Sequence, residues 1–260
     1  MELNNKTIRS LADEGERLDR RQPHEYREIE LKTGYINETA EGSAYVSIGD
    51  TQLVVGLKVD VEEPYDDRPD AGTLVTNAEL APMAAREYES GPPQEPGVEL
   101  ARVVDRGIRE APAVDFEELC IEEGEKVYTL FIDVHVLNDD GNLLDAAALG
   151  AMASLKDGFL PDYNEEEGLL REQPEEGSDI PMESVPITAT GRRIGDNLLF
   201  DTTSREEEAL GARLTIAFTE DGNIVAMQKG GDDSMEISDI TEAVEIAEQK
   251  SEMLREVLEQ

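Results

Sequence analysis

The run Lys126–Leu137 alternates well enough between apolar and polar residues to predict a long central strand. It leads into Asp139-Asp140-Gly141-Asn142, a turn signal, and then into the alanine-rich stretch Asp145–Lys156, whose composition predicts a helix. The pattern returns later in the chain. Leu214-Thr215-Ile216-Ala217-Phe218 runs into Glu220-Asp221-Gly222-Asn223, then the apolar Ile224-Val225-Ala226-Met227, then a helical pattern over 238–258. Strand, Asp-Gly turn, apolar run and helix, used twice, point to a duplicated αβ unit within an α+β fold. A single match between copies suggests duplication and no more.

The remaining elements are readable by the same rules. Residues 4–13 form a short helix with Ile8 and Leu11 facing inward. Alternation predicts strands near Tyr26–Lys32, Ala44–Ile48, Gln52–Val61 and Thr73–Glu79. Gly49-Asp50 joins the second and third of these as a hairpin turn. The C-terminal helix starts near Ser238 or Asp239, both good N-caps, and carries Ile240, Val244, Ala247, Leu254 and Leu258 as a docking face. Their spacing also fits a coiled-coil seam, but the segment is short for one. Between an N-terminal half (1–161) and a C-terminal half (181–260) lies an acidic loop, 162–180. Its stretch Asp162–Asp179 holds eight acids and one base, Arg171, and reads as solvated and mobile.

Composition excludes several function classes. Cys120 is the only cysteine, so no intrachain disulfide and no cysteine metal cluster can form, and it reads as a small packing residue. No apolar run reaches membrane-spanning length and the N-terminus lacks a signal-peptide core, so a cytoplasmic protein is expected. The net charge of −38 arises from 61 acids against 23 bases, only seven of them lysine. Spread over roughly 11,000 Å² of surface, neighbouring net charges lie ~17 Å apart. Screening with a Debye length of about 8 Å at 0.15 M leaves that repulsion in place, whereas about 3 Å at 1 M removes it. The acidity therefore reads as adaptation to a salt-rich cytoplasm. It does not exclude nucleic acid as a partner.

The segment Glu89-Ser90-Gly91-Pro92-Pro93-Gln94-Glu95-Pro96-Gly97 breaks the chain, and an amphipathic helix follows it. Val98, Ala101, Val104 and Ile108 give that helix an apolar face. Arg102, Arg106 and Arg109 recur at i, i+4 and i+7, so three guanidiniums stack on a second stripe. Such a comb suits a run of phosphates. Spacing alone equally allows a solvated helix whose arginines pair with Glu99, Asp105 and Glu110.

The arginine helix resembles the signature helix of the RNase PH superfamily. Three further stretches agree in order: Arg17-Leu18-Asp19-Arg20-Arg21, Ala40-Glu41-Gly42-Ser43-Ala44, and Val134-His135-Val136-Leu137-Asn138-Asp139-Asp140-Gly141-Asn142-Leu143-Leu144-Asp145-Ala146. Together they resemble the non-catalytic PH-like ring subunits of archaeal exosomes. The resemblance implies an RNase PH fold with a duplicated β-α-β core of the ribosomal protein S5 domain 2 type. It implies a six-membered ring of three heterodimers with a catalytic PH-like partner, RNA-binding cap proteins, and RNA threaded through the ring. It further implies RNA contacts by Arg102, Arg106 and Arg109, with no catalytic residue, metal or cofactor in this chain. One departure is Arg20, where the family usually has glycine.

No common catalytic signature is present, and His24 and His135 lie far apart, His135 in a mid-strand position that is usually structural. Phosphorolysis needs hydroxyl and guanidinium donors for phosphate, an acid or metal at the leaving oxygen, and a basic track for RNA. Active relatives hold phosphate with Gly-Thr-Arg or Gly-Ser-Arg after the central strand. Here that place reads Gly141-Asn142-Leu143-Leu144-Asp145, where two leucines supply no side-chain donor and Asp145 would repel an anion. Active relatives also carry two aspartates six residues apart. An ungapped alignment places Thr203 and Glu207 at or next to those positions, a gap of one or two residues would bring Asp201 into the first, and Glu206–Glu208 otherwise reads as a solvated acidic turn. The expected role is an RNA-holding subunit; a self-sufficient phosphorolytic 3′–5′ exoribonuclease and a purely structural ring member are the alternatives.

Overall fold

The computed structural model describes residues 5–36, 38–170 and 179–260. The first helix, α1 (Asn5–Asp13), precedes β1 (Ile29–Thr33), β2 (Gly42–Ile48), β3 (Thr51–Glu62) and β4 (Thr73–Leu80). Next come α2 (Glu95–Arg109), β5 (Cys120–Glu122), β6 (Lys126–Asn138) and α3 (Leu143–Asp157). A small hairpin, β7 (Asp162–Asn164) and β8 (Gly168–Leu170), leads on to β9 (Ile187–Ile194) and β10 (Asn197–Phe200). The chain ends with α4 (Ser204–Glu207), β11 (Ala212–Phe218), β12 (Ile224–Gly230) and α5 (Ile237–Leu258).

The first sheet has the order β1-β2-β3-β6-β4, with β5 paired to β6. Its pairs are antiparallel except β4 with β6. That exception follows from the connection, because β4 reaches β6 through the crossover helix α2 rather than a turn. The β2–β3 hairpin closes at Gly49-Asp50 in the expected register, Ile48 opposite Thr51, with Gly49 at φ 58°. The second sheet is antiparallel, β10-β9-β11-β12.

Helix α3 packs on β2 and β3 of the first sheet and on β9 of the second. It is buried on all sides from Leu144 to Leu155, which is why its sequence shows little amphipathic stripe. Burying each of Leu144, Leu149, Met152 and Leu155 contributes roughly 1.5–3 kcal/mol. Gly150 costs the helix only about 1 kcal/mol. It is needed, since a Cβ there would lie 2.7 Å from Val55 Cγ2 and 3.1 Å from Val46 Cγ2. The main core runs from Ala44 through α2 and α3 to Ile187, Leu254 and Leu258, so late residues complete an early core. A second cluster lies between the second sheet and α5, with Phe200, Ile216, Phe218, Ala243 and Ala247.

Several expectations shift. The two Asp-Gly turns do different work: Gly141 leads directly into α3, whereas Gly222 closes the β11–β12 hairpin. Helix α2 begins at Glu95, so Pro96 and Gly97 lie inside its first turn and not before it. Val98 is 44% exposed; the buried face is Leu100, Ala101, Val103, Val104, Gly107 and Ile108. In α1, Ile8 is buried, and Ala12 rather than Leu11 joins it. Helix α5 is capped by Glu236 with a reciprocal Asp239 contact, and its buried line is Ala243, Ala247, Ser251, Leu254 and Leu258, with Ile240 exposed. Part of the acidic loop is ordered as β7–β8; its residues 171–178 lie outside the described residues.

Arg20 has φ 67°, in the left-handed region that favours glycine. Its side chain is exposed, so the strain has no compensating burial. Replacing it, Arg20→Gly, is predicted to stabilise the chain by roughly 0.5–1 kcal/mol, the left-handed cost less glycine's extra backbone entropy. Chemical denaturation in molar KCl measures this; a less stable variant would show that Arg20 makes a contact worth more than its strain.

Candidate nucleic-acid interface and a buried charge cluster

Helix α2 packs its apolar face on β4 and α3 and leaves the arginine stripe outside. Arg102, Arg106 and Arg109 are all exposed. They border an open groove of about 1040 Å³ that also includes Thr76, Val98 and Gln228. The three are not equivalent. Arg109 donates to both carboxylate oxygens of Asp105, at 3.0 and 2.9 Å, and to the Leu74 carbonyl at 2.6 Å. Its hydrogen bonds to Asp105 raise its pKa above the usual arginine value, so it is committed to its own chain. The side chains of Arg102 and Arg106 make no hydrogen bond or ion pair among the described residues. Glu99, the acid that local pairing would offer them, instead faces Arg213 and Gln228.

The segment Asp201–Glu208 is not a solvated acidic turn. Glu206 is 1% exposed and receives a two-pronged contact from Arg17, at 2.9 and 2.6 Å. Arg17 also donates to the carbonyls of Phe200 and Asp201, at 2.9 and 2.7 Å. Thr203 caps α4 through a reciprocal box with Glu206. Asp201 is fully buried and accepts from Arg27 (2.7 Å), Arg21 (2.9 Å) and Asn142 Nδ2 (3.0 Å). Burial alone would raise its carboxyl, but the Arg27 hydrogen bonds and the charges of Arg27 and Arg21 outweigh this and hold it below the usual carboxylate range. Arg27 reaches Asp140 as well, at 3.1 Å.

Asp201 and Glu207 are six residues apart, the spacing expected of the acid pair. Both lie against the loop that opens α3. Glu207 Oε1 accepts from the Asn142 backbone N–H (2.7 Å) and the Thr202 hydroxyl (3.0 Å) and forms an ion pair with the Arg192 guanidinium (3.0 Å). Arg192 also donates to Asn142 Oδ1 at 3.0 Å. Asp145 is buried beside this place, where Arg192 and Asn142 both act on its carboxylate. Its Oδ2 accepts from the Tyr26 hydroxyl at 2.6 Å and from the Thr190 N–H at 3.3 Å, inside the protein.

The partners in this cluster are separated by up to 189 residues, so no local pattern announces them. Arg17 and Asp201 carried a signal, lying in stretches already singled out; Arg27 and Arg192 carried none. His135 is 53% exposed on the strand face, with Nδ1 3.2 Å from Glu79, rather than enclosed. Cys120 is half-buried on β5. No group of three or more His, Cys, Asp or Glu able to hold a metal is found among the described residues. No helix among them is long and apolar enough to cross a membrane.

Asp145 is fully buried with Oδ1 unpartnered, and burial raises its pKa against the attraction of Arg192. A raised folded pKa contributes stability that is present below the unfolded value, about 3.9, and is lost as pH rises through the folded value. The Asp145→Asn chain is therefore predicted to gain stability relative to the parent as pH rises from 4 to 7. Parallel melting curves test this; a difference independent of pH would contradict it.

Three comparisons bear on this geometry. The 3′ exoribonuclease family matches twice, its domain 1 over residues 25–161 and its domain 2 over residues 184–250. The chain is 46% identical over 260 residues to the exosome complex component Rrp42 of Methanocella arvoryzae, covering 99% of this chain and 96% of that one. It is 47% identical over 253 residues to the protein of the same name from Thermococcus gammatolerans, covering 96% and 92%. Among solved structures, a chain of the Archaeoglobus fulgidus exosome with RNA bound to the active site superposes with a TM-score of 0.90 at 42% identity. That match covers 97% of this chain and 96% of the other.

Proposed function

This chain belongs to the 3′ exoribonuclease, or RNase PH, family, and on that premise we propose that it is an exosome ring subunit that holds RNA without performing phosphorolysis. Its partner in this reading is a catalytic PH-like subunit, alternating with it in a ring of three heterodimers that carries RNA-binding caps. The observation that carries the proposal is a contrast between two sets of guanidiniums. Arg102 and Arg106 stand exposed, one turn apart and unpaired among the described residues, beside an open groove. Arg17, Arg21, Arg27 and Arg192 are engaged by the chain's own carboxylates.

Free guanidiniums at that spacing offer forked donors to successive phosphates of a strand. Phosphate contacts carry no base information, so binding through them is indifferent to sequence. High salt weakens each contact, which favours having more than one in register. Arg109 positions the helix through Asp105 and the Leu74 carbonyl, and its share in RNA contact is the smaller.

One observation favours the self-sufficient exoribonuclease: the acid pair Asp201 and Glu207 keeps its six-residue spacing. Against this, Asp201 cannot take a metal ion without losing bonds to Arg21, Arg27 and Asn142. Glu207 is likewise held by two hydrogen bonds and an ion pair.

A reconstituted ring carrying Arg102→Ala and Arg106→Ala tests the proposal, beside the unmutated chain alone with RNA and phosphate. The isolated chain is expected to release no nucleoside diphosphate. The double variant should assemble normally, bind RNA roughly tenfold more weakly, and lower the slope of log affinity against log salt by roughly 1.4, two single-strand phosphate contacts. An assembled variant ring that degrades RNA at the parental rate would make the arginines structural. Phosphate-dependent release in proportion to the isolated chain would make it an enzyme.

A further inference from the structure

We infer that Glu207 is a built-in stand-in for phosphate: an intramolecular carboxylate that fills an otherwise competent anion cradle and keeps it shut. The inference deepens the non-catalytic reading and rests on it. A single oxygen, Glu207 Oε1, accepts hydrogen bonds from the Asn142 backbone N–H and the Thr202 hydroxyl and pairs with the Arg192 guanidinium at 3.0 Å. These come from the α3 loop, the segment before α4, and β9, and they are the donor types that hold a phosphate oxygen.

Two features show that the cradle is built and not incidental. Arg192 has a side chain only 3% exposed, so its charge is fixed inside the protein, where the buried Asp145 answers part of it and Glu207 the rest. Asn142 is fully buried at φ 59°, a conformation held by its own contacts to Asp201 and Arg192, which aims its N–H at the same point. Glu207 itself is one-third exposed, so solvent reaches the cradle from that side. The leucines at 143 and 144 therefore do not by themselves account for a site without phosphate.

The test is the melting temperature of the full chain in molar KCl, titrated with inorganic phosphate. Four proteins are compared: the parent, Glu207→Gln, Glu207→Ala and Glu207→Ala with Arg192→Met. The parent and the Gln variant, which keeps an acceptor in place, report the general salting effect of phosphate. The Ala variant should start less stable and then gain roughly 5 °C more than the parent by 50 mM phosphate, saturably, as ligand linkage requires. Adding Arg192→Met should abolish that gain. An Ala variant with no phosphate-dependent gain, folded or not, overturns the inference, as does a parent that responds equally. Either result leaves the non-catalytic reading intact, because that reading is judged by product release from RNA.

Discussion

Four guanidiniums meet four carboxylates where the early chain, the α3 loop and the β10–α4 turn converge. Arg17, Arg21, Arg27 and Arg192 face Asp140, Asp201, Glu206 and Glu207, largely out of solvent. Matching donors and acceptors is what makes such a cluster tolerable, since removing one partner of a buried pair costs roughly 3–5 kcal/mol. That is a large share of the ~5–15 kcal/mol by which a folded domain survives. The cluster therefore fixes where residues 17–27 run and how the α3 loop meets the second sheet. In a chain of net charge −38 it is also a place where arginine and acid balance, and burial makes it insensitive to the salt that the surface needs.

The same balance separates two kinds of arginine. Those inside are neutralised by the chain and hold it together. Arg102 and Arg106, on the exposed side of α2, retain their donors for something outside.

The strands, the β2–β3 hairpin and the principal helices were legible because each is announced by local periodicity. Boundaries were less so: Pro96 sits comfortably in a first helical turn, where its missing N–H costs nothing, so α2 starts earlier than the break suggests. The stripe of Arg102, Arg106 and Arg109 was legible from spacing, but the diversion of Arg109 to the Leu74 carbonyl depends on how α2 lies on β4. Least legible was the charge cluster. Glu206–Glu208 has the composition of a surface turn, and only its long-range pairing with Arg17 and Arg192 shows otherwise. The arginine-for-glycine departure at position 20 was visible, and its cost, a left-handed backbone, appears at that residue.

That the buried cluster is the structural centre of the molecule is tested most directly by a double-mutant cycle on Arg17 and Glu206. The single variants Arg17→Met and Glu206→Leu and the double variant are unfolded by denaturant in molar KCl, where surface pairs are screened. The account predicts a coupling of about 2 kcal/mol or more that persists at high salt, with each single variant less stable than the double. A coupling near zero would contradict it.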